Sequence, residues 1–122
     1  PGYSVKMFEY IPKLRIDGDV IIVECGAGTG LFTELLCKYC DLRNNKNIKL
    51  IVTDPSKKML DVAKKKFKGY QNIVFYECKA QELNDIKSNT VDYIFCAQSF
   101  NWYCNYDTLR EFDRIFKDND NG

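Results

Sequence analysis

The chain has 122 residues, of which 45% are hydrophobic and 14% aromatic, and its 18 basic and 17 acidic side chains leave a formal net charge of +1. A chain of this length can build the compact core of one domain and not of two, so residues 1–122 are predicted to form a single domain. Because the charges nearly cancel, no overall field attracts nucleic acid or an acidic membrane, and neither partner is expected.

The cysteines and the apolar runs indicate a reduced, cytoplasmic protein. No apolar run approaches the roughly 20 residues of a membrane helix, and no secretory leader is recognised. Four of the six cysteines lie in or beside apolar runs, where free cysteine packs as a small hydrophobe. Cys37 and Cys40 form half of a zinc motif, but the chain has no second pair and no histidine, so no metal site is predicted.

Four short runs rich in β-branched and aromatic residues are predicted to be strands, at residues 20–24, 48–54, 73–76 and 91–97. They are continuously apolar instead of alternating, which is typical of parallel strands covered on both faces. Helical patterns separate them. Right-handed crossovers then favour a doubly wound α/β sheet of strand order 3-2-1-4, with a ligand site at the carboxyl ends of strands one and four.

Three helices are predicted from apolar spacings of three and four. The first ends near Asn44, and its buried face comprises Leu31, Phe32, Leu35, Leu36, Tyr39 and Cys40. The second is capped by Ser56, ends at Gly69 and buries Leu60, Ala63 and Phe67. The third is capped by Asp107, and its apolar face comprises Leu109, Phe112, Ile115 and Phe116.

The stretch VECGAGTG places glycines at 26, 28 and 30 where the first strand turns into the first helix. Glycine there permits positive φ, and the helix start offers unpaired N–H groups to an anion. A P-loop is excluded because Leu31 and Phe32 follow the last glycine, and Leu31 also breaks the dinucleotide fingerprint, which leaves NAD weakly supported. A simple tight turn is a further alternative.

S-adenosylmethionine fits the surrounding carboxylates better. Its ammonium group calls for a carboxylate beside the glycine loop, which Glu24 supplies directly or through water. Its ribose calls for an acceptor at the tip of the neighbouring strand, where Asp54 lies. This cofactor is therefore our first hypothesis.

Five ordered motifs, VECGAGTG, VTDPSKKML, YECKAQEL, VDYIFCAQSFNWY and LREFDRIFKDNDNG, resemble class I S-adenosylmethionine-dependent methyltransferases. The resemblance is closest to the type 11 and trans-aconitate methyltransferase branch, which acts on small molecules. It implies a Rossmann-like fold and a chain truncated at both ends, with strands five to seven absent. An unpaired fourth strand would then expose an edge, for which we expect self-association or marginal stability.

The resemblance also implies roles for particular residues. Glu24, Gly26, Ala27 and Gly28 would form the loop at the methionine end of the cofactor, and Asp54 would bind the ribose. The remaining cofactor-binding residues implied by the motifs are Pro55, Ser56, Met59, Cys78, Lys79, Ala80 and Ala97. Lys79 stands where the family commonly has an acidic or hydroxyl residue at the adenine edge, and an ammonium group cannot accept a hydrogen bond.

The end of the fourth strand carries further residues that the resemblance brings into question. Asn101 replaces the histidine that usually precedes the tryptophan, while Trp102 and Tyr103 either wall the transfer site or pack in the core. Asp92 is predicted to be a structural hydrogen-bond acceptor. No catalytic residue is assigned. If the acceptor is a carboxylate, no general base is required. A non-catalytic binding module or partner subunit is the alternative function.

Overall fold

The computed structural model describes residues 18–96 and 106–117. Their elements are β1 (Val20–Cys25), α1 (Leu31–Tyr39), β2 (Ile48–Asp54), α2 (Lys57–Lys66), β3 (Ile73–Glu77), β4 (Tyr93–Cys96) and α3 (Tyr106–Ile115). The strands form one parallel four-stranded sheet of order β3-β2-β1-β4. The predicted α/β fold and its strand order are confirmed.

Both faces of the sheet are covered, which explains why the strand sequences are continuously apolar. One core lies between the sheet and the two helices α1 and α2, and it includes Ile22, Leu36 and Leu60. The second core lies on the opposite face, where Val23 packs in one cluster with Ile115 of α3. Successive residues of β1 therefore belong to different cores, as the alternation of side chains along a strand requires.

The second helix forms as predicted at its beginning and on its buried face. Ser56 is the N-cap, and its side chain accepts a hydrogen bond from the backbone N–H of Met59. Leu60, Ala63 and Phe67 are all buried. The predicted end at Gly69 was wrong, because α2 ends at Lys66 and a turn follows.

The predicted face of α1 was rotated about the helix axis from the observed one, and the helix ends at Tyr39 instead of near Asn44. Leu31 and Tyr39 are 39% and 36% exposed, while Thr33 and Cys37, which were not predicted, are buried. At 100° per residue, Thr33 and Cys37 lie on the opposite flank of the apolar stripe from Leu31 and Tyr39, so the sheet contacts the helix on the Thr33 side.

The third helix differs from the prediction in a similar way. It begins at Tyr106, so Asp107 lies in its first turn and is not its cap. Leu109 is 60% exposed and Phe116 is 38% exposed, whereas Ile115 is fully buried. Within the described residues, the helix thus presents part of its apolar pattern to solvent.

The fourth strand is shorter than predicted at its start. Val91 forms an isolated bridge with Phe116, and its backbone N–H donates to the carbonyl of Ile115 at 2.8 Å, so it is held by the end of α3. Asp92 accepts a hydrogen bond from the backbone N–H of Ile21 at 2.8 Å, which confirms its structural role. Among the described strands β4 pairs with β1 alone. Self-association through its other edge stays a prediction.

Candidate binding site at the carboxyl ends of the strands

The glycine loop between β1 and α1 needs glycine for its backbone. Gly26, Gly28 and Gly30 have φ angles of 69°, 61° and 97°, in the left-handed region that side chains disfavour. Gly30 is also the N-cap of α1, and a Cβ atom there would lie 2.6 Å from Cε2 of Phe67. The loop therefore turns tightly and packs closely against Phe67. With no side chains at these three positions, a ligand can approach the backbone of the loop closely.

Asp54, the last residue of β2, ties this loop to the start of α2. Its Oδ2 atom accepts a hydrogen bond from the backbone N–H of Gly28 at 2.8 Å, and its Oδ1 atom accepts one from the N–H of Ser56, also at 2.8 Å. The side chain is only 7% exposed. Because a carboxylate oxygen has two lone pairs, both atoms retain capacity for a further donor. The structure thus brings the predicted ribose-binding carboxylate directly onto the glycine loop.

Glu24, the penultimate residue of β1, is a completely buried carboxyl group. Its Oε1 atom accepts a hydrogen bond from the hydroxyl of Thr33 at 2.5 Å. Within residues 18–96 and 106–117, no group hydrogen-bonds to its Oε2 atom. Such an unpartnered buried oxygen is costly unless a ligand supplies a donor.

The electrostatics of Glu24 lead to the same conclusion. Burial raises the pKa of its carboxyl group to about 7, with a further upward contribution from the nearby charge of Asp54, while the hydrogen bond from Thr33 lowers it. A cation at this position would relieve both effects, because it stabilises the ionised form. The group is therefore prepared for a positively charged ligand that also donates hydrogen bonds.

An open cavity of about 420 Å³ lies at the carboxyl ends of β2 and β3. Its lining residues are Pro55, Glu77, Cys78, Lys79, Glu82, Asn84 and Asp85. The predicted residues Pro55, Cys78 and Lys79 are thus brought together. Ala80 is buried in the second core and does not line this cavity, and Ala97 lies outside the described residues.

Sequence reasoning missed Thr33 and the carboxylates of the cavity. Thr33 stood out only as a hydroxyl residue among apolar positions of a helix, three residues after the last glycine. Glu82 and Asp85 follow the third strand closely, but nothing in their spacing indicates that they turn back toward Pro55. Their place in the cavity supplies hydrogen-bond acceptors that Lys79 lacks.

Metal-binding clusters and membrane-spanning helices are both absent from the described part of the chain. No group of three or more histidine, cysteine, aspartate or glutamate side chains there is arranged to hold a metal ion. None of its helices is long and apolar enough to cross a bilayer. The cytoplasmic location stays a prediction.

A family model described as a methyltransferase domain matches residues 22–119. The chain belongs to this family.

One curated relative carries a name that is consistent with this family. An uncharacterized methyltransferase-like protein of Schizosaccharomyces pombe is 32% identical over 122 residues, which cover 98% of this chain and 43% of that protein. The chain thus spans less than half of the length of this curated relative.

Solved structures show the same fold. A SAM-dependent methyltransferase from Aquifex aeolicus matches with a TM-score of 0.71 and 23% identity, covering 84% of this chain and 54% of that chain. Phosphoethanolamine N-methyltransferase 1 of Haemonchus contortus, in complex with phosphoethanolamine and S-adenosylhomocysteine, matches with a TM-score of 0.71 and 18% identity, covering 93% of this chain and 22% of that chain. At these identities the likeness concerns the fold alone.

Proposed function

We propose that the chain binds S-adenosylmethionine and forms the cofactor-binding part of a methyltransferase that acts on a small-molecule acceptor. The observation that carries this proposal is the buried carboxyl group of Glu24, whose Oε2 atom has no partner in the described ranges and lies next to the glycine loop in sequence. An ammonium group supplies both the positive charge and the N–H donors that this atom lacks. The family membership supports methyl transfer.

Each part of the cofactor has a matching group in the chain. Glu24 would hold the ammonium group of the methionine end, and Asp54 would accept hydrogen bonds from the ribose hydroxyls while it keeps its bonds to the loop. The adenine would enter the cavity beside Pro55. There the carboxylates of Glu82 and Asp85 offer acceptors for its amino group in place of Lys79.

The bound sulfonium supplies an activated methyl group, so the chain has to align the two reactants and exclude water. The glycine loop and Asp54 contribute to the alignment, since the two 2.8 Å hydrogen bonds of Asp54 join the loop to α2 and fix its position. No general base is needed if the acceptor is a carboxylate. The resemblance of the five motifs to the trans-aconitate branch supports such a small-molecule acceptor.

The test is calorimetric titration of the chain with S-adenosylmethionine, S-adenosylhomocysteine and NAD. We expect binding of the first two ligands, no response to NAD, and a loss of at least about tenfold in affinity for Asp54→Ala, because at least one charge-assisted hydrogen bond to the ribose is removed.

The matched control is Asp61→Ala. Asp61 lies on α2 with its side chain 47% exposed, and it pairs only loosely with Lys57 at 3.4 Å. This variant should bind like the wild type. Circular dichroism of both variants checks that they fold. Binding of NAD alone, or equal affinity in the folded Asp54→Ala variant, would contradict the proposal and favour a binding module of another kind.

A further inference from the structure

Thr33 is a polar residue in an apolar place. It lies in the first turn of α1, is fully buried, and has buried apolar neighbours on the same helix face, Phe32 and Leu36. Burial of a hydroxyl group is unfavourable unless it forms a hydrogen bond. The bond it forms is not the usual one to a carbonyl of its own helix but the 2.5 Å bond to Glu24 of β1.

We infer that Thr33 is a positioning residue for the cofactor site: its hydroxyl holds Oε1 of Glu24, so that Oε2 is left to pair with the cationic end of the ligand. This inference rests on the proposed function. The geometry supports this role because the two carboxyl oxygens of Glu24 have different surroundings. Oε1 accepts the hydrogen bond from Thr33, and Oε2 has no partner among the described residues. Nothing in the sequence motifs assigns this role to Thr33.

The charge of Glu24 depends on every element packed around it. Burial raises the pKa of Glu24 to about 7, the charge of Asp54 on β2 contributes in the same direction, and the hydroxyl of Thr33 acts against both. Two thiols are also within electrostatic reach. The pKa of Cys37 on α1 is raised to about 12, chiefly by burial, so this thiol stays neutral. The pKa of Cys96 on β4 is lowered by a hydrogen bond from Cys25, and its charge interacts with that of Glu24. A variant without this thiol is therefore needed to show which of the two groups titrates.

The role predicts a specific change in pH dependence. Without the hydroxyl, the pKa of Glu24 rises above about 7, and the carboxyl group is largely protonated at neutral pH. We expect the ratio of Kd values between Thr33→Val and wild type to be about tenfold or more at pH 6 and to fall toward one at pH 9. The ligand's own amino group titrates equally in every variant, so it cancels in this ratio.

The experiment is titration of the chain with S-adenosylmethionine at pH 6, 7, 8 and 9, for wild type, Thr33→Val, Thr33→Ser and Cys96→Ala. Serine keeps the hydroxyl, so Thr33→Ser should retain the wild-type profile, and Cys96→Ala should do the same. A Kd ratio for Thr33→Val that is the same at every pH would show a merely structural role and overturn the inference. A shifted profile for Cys96→Ala would assign the titration to the thiol and also overturn it.

A second measurement does not need the ligand. Carbon-13 NMR of the glutamate carboxyl carbons, with Glu24→Gln to assign the signal, follows the ionisation of Glu24 directly. We expect its midpoint near 7 in the wild type and higher in Thr33→Val, with Thr33→Ala as the substitute if the valine variant does not fold. A midpoint that is the same with and without the hydroxyl overturns the inference. If no variant binds S-adenosylmethionine but the midpoint moves, the proposed function fails while the coupling between Thr33 and Glu24 stands.

Discussion

Replacement of Glu24 by glutamine should make the ligand-free protein less sensitive to alkaline pH. In the folded chain the pKa of Glu24 is raised from 4.5 to about 7, chiefly by burial. Between these two values the folded state binds more protons than the unfolded state, so the free energy of unfolding falls as the pH rises through this window and stays lowered above it. Glutamine carries no charge at any pH, and its side-chain oxygen can still accept the hydrogen bond from Thr33.

The magnitude follows from the size of the pKa change. A difference of 2.5 units between 4.5 and 7 corresponds to about 3 kcal/mol of stability at 1.36 kcal/mol per unit. Wild type should therefore lose about 2.5 kcal/mol relative to Glu24→Gln between pH 5 and pH 8.5, because part of the full difference is already present at pH 5, above the pKa of the unfolded state. The same substitution should weaken binding of S-adenosylmethionine. The charge of Glu24 that binds the ligand is thus the same charge that lowers the stability of the ligand-free protein.

The assay is urea denaturation of both proteins at pH 5 and pH 8.5 without ligand. Comparison of the two proteins at each pH cancels most of the contributions of other titrating groups. Glu77→Gln is the matched control, because it makes the same chemical change at a side chain that is exposed at the end of β3. A stability difference between Glu24→Gln and wild type that does not change with pH would refute the reasoning.

Two substitutions test the packing around the site by urea denaturation. Gly30→Ala should lower the free energy of unfolding by about 2 kcal/mol or more, because φ is 97° and the added Cβ atom would lie 2.6 Å from Phe67. Gly69→Ala is the control, because its Cβ atom would be no nearer than 3.5 Å to its neighbours. An equal loss of stability in both variants would contradict this account. Arg114→Lys should lower the free energy of unfolding by about 2 kcal/mol, because the guanidinium group donates hydrogen bonds to two backbone carbonyls of the loop after β3 at 2.9 and 2.8 Å. Arg110→Lys, on the exposed side of the same helix, should have little effect, and similar losses for the two arginine variants would show that these carbonyl bonds do not matter.

Local patterns were sufficient for the order of the strands and for the position of the glycine loop. The apolar runs and the cap at Ser56 depend on near neighbours in the chain, and the structure confirms both. The buried face of α1 was harder to predict, because Leu31 and Thr33 lie close together and only contact with the sheet decides which of them is buried. The cavity residue Glu82 could not be found for a similar reason, since its approach to Pro55 depends on the path of a loop.

From the sequence alone come the α/β architecture, the strand order and the meeting of Glu24, Gly28 and Asp54 at one edge of the sheet, because parallel strands with right-handed crossovers bring their carboxyl ends together. Only the tertiary structure decides how these groups behave. It encloses Glu24 completely, gives one of its oxygens to Thr33 and leaves the other without a partner among the described residues. The physical reason is that desolvation and hydrogen bonding depend on what surrounds a group in space, and residues distant in sequence supply those surroundings.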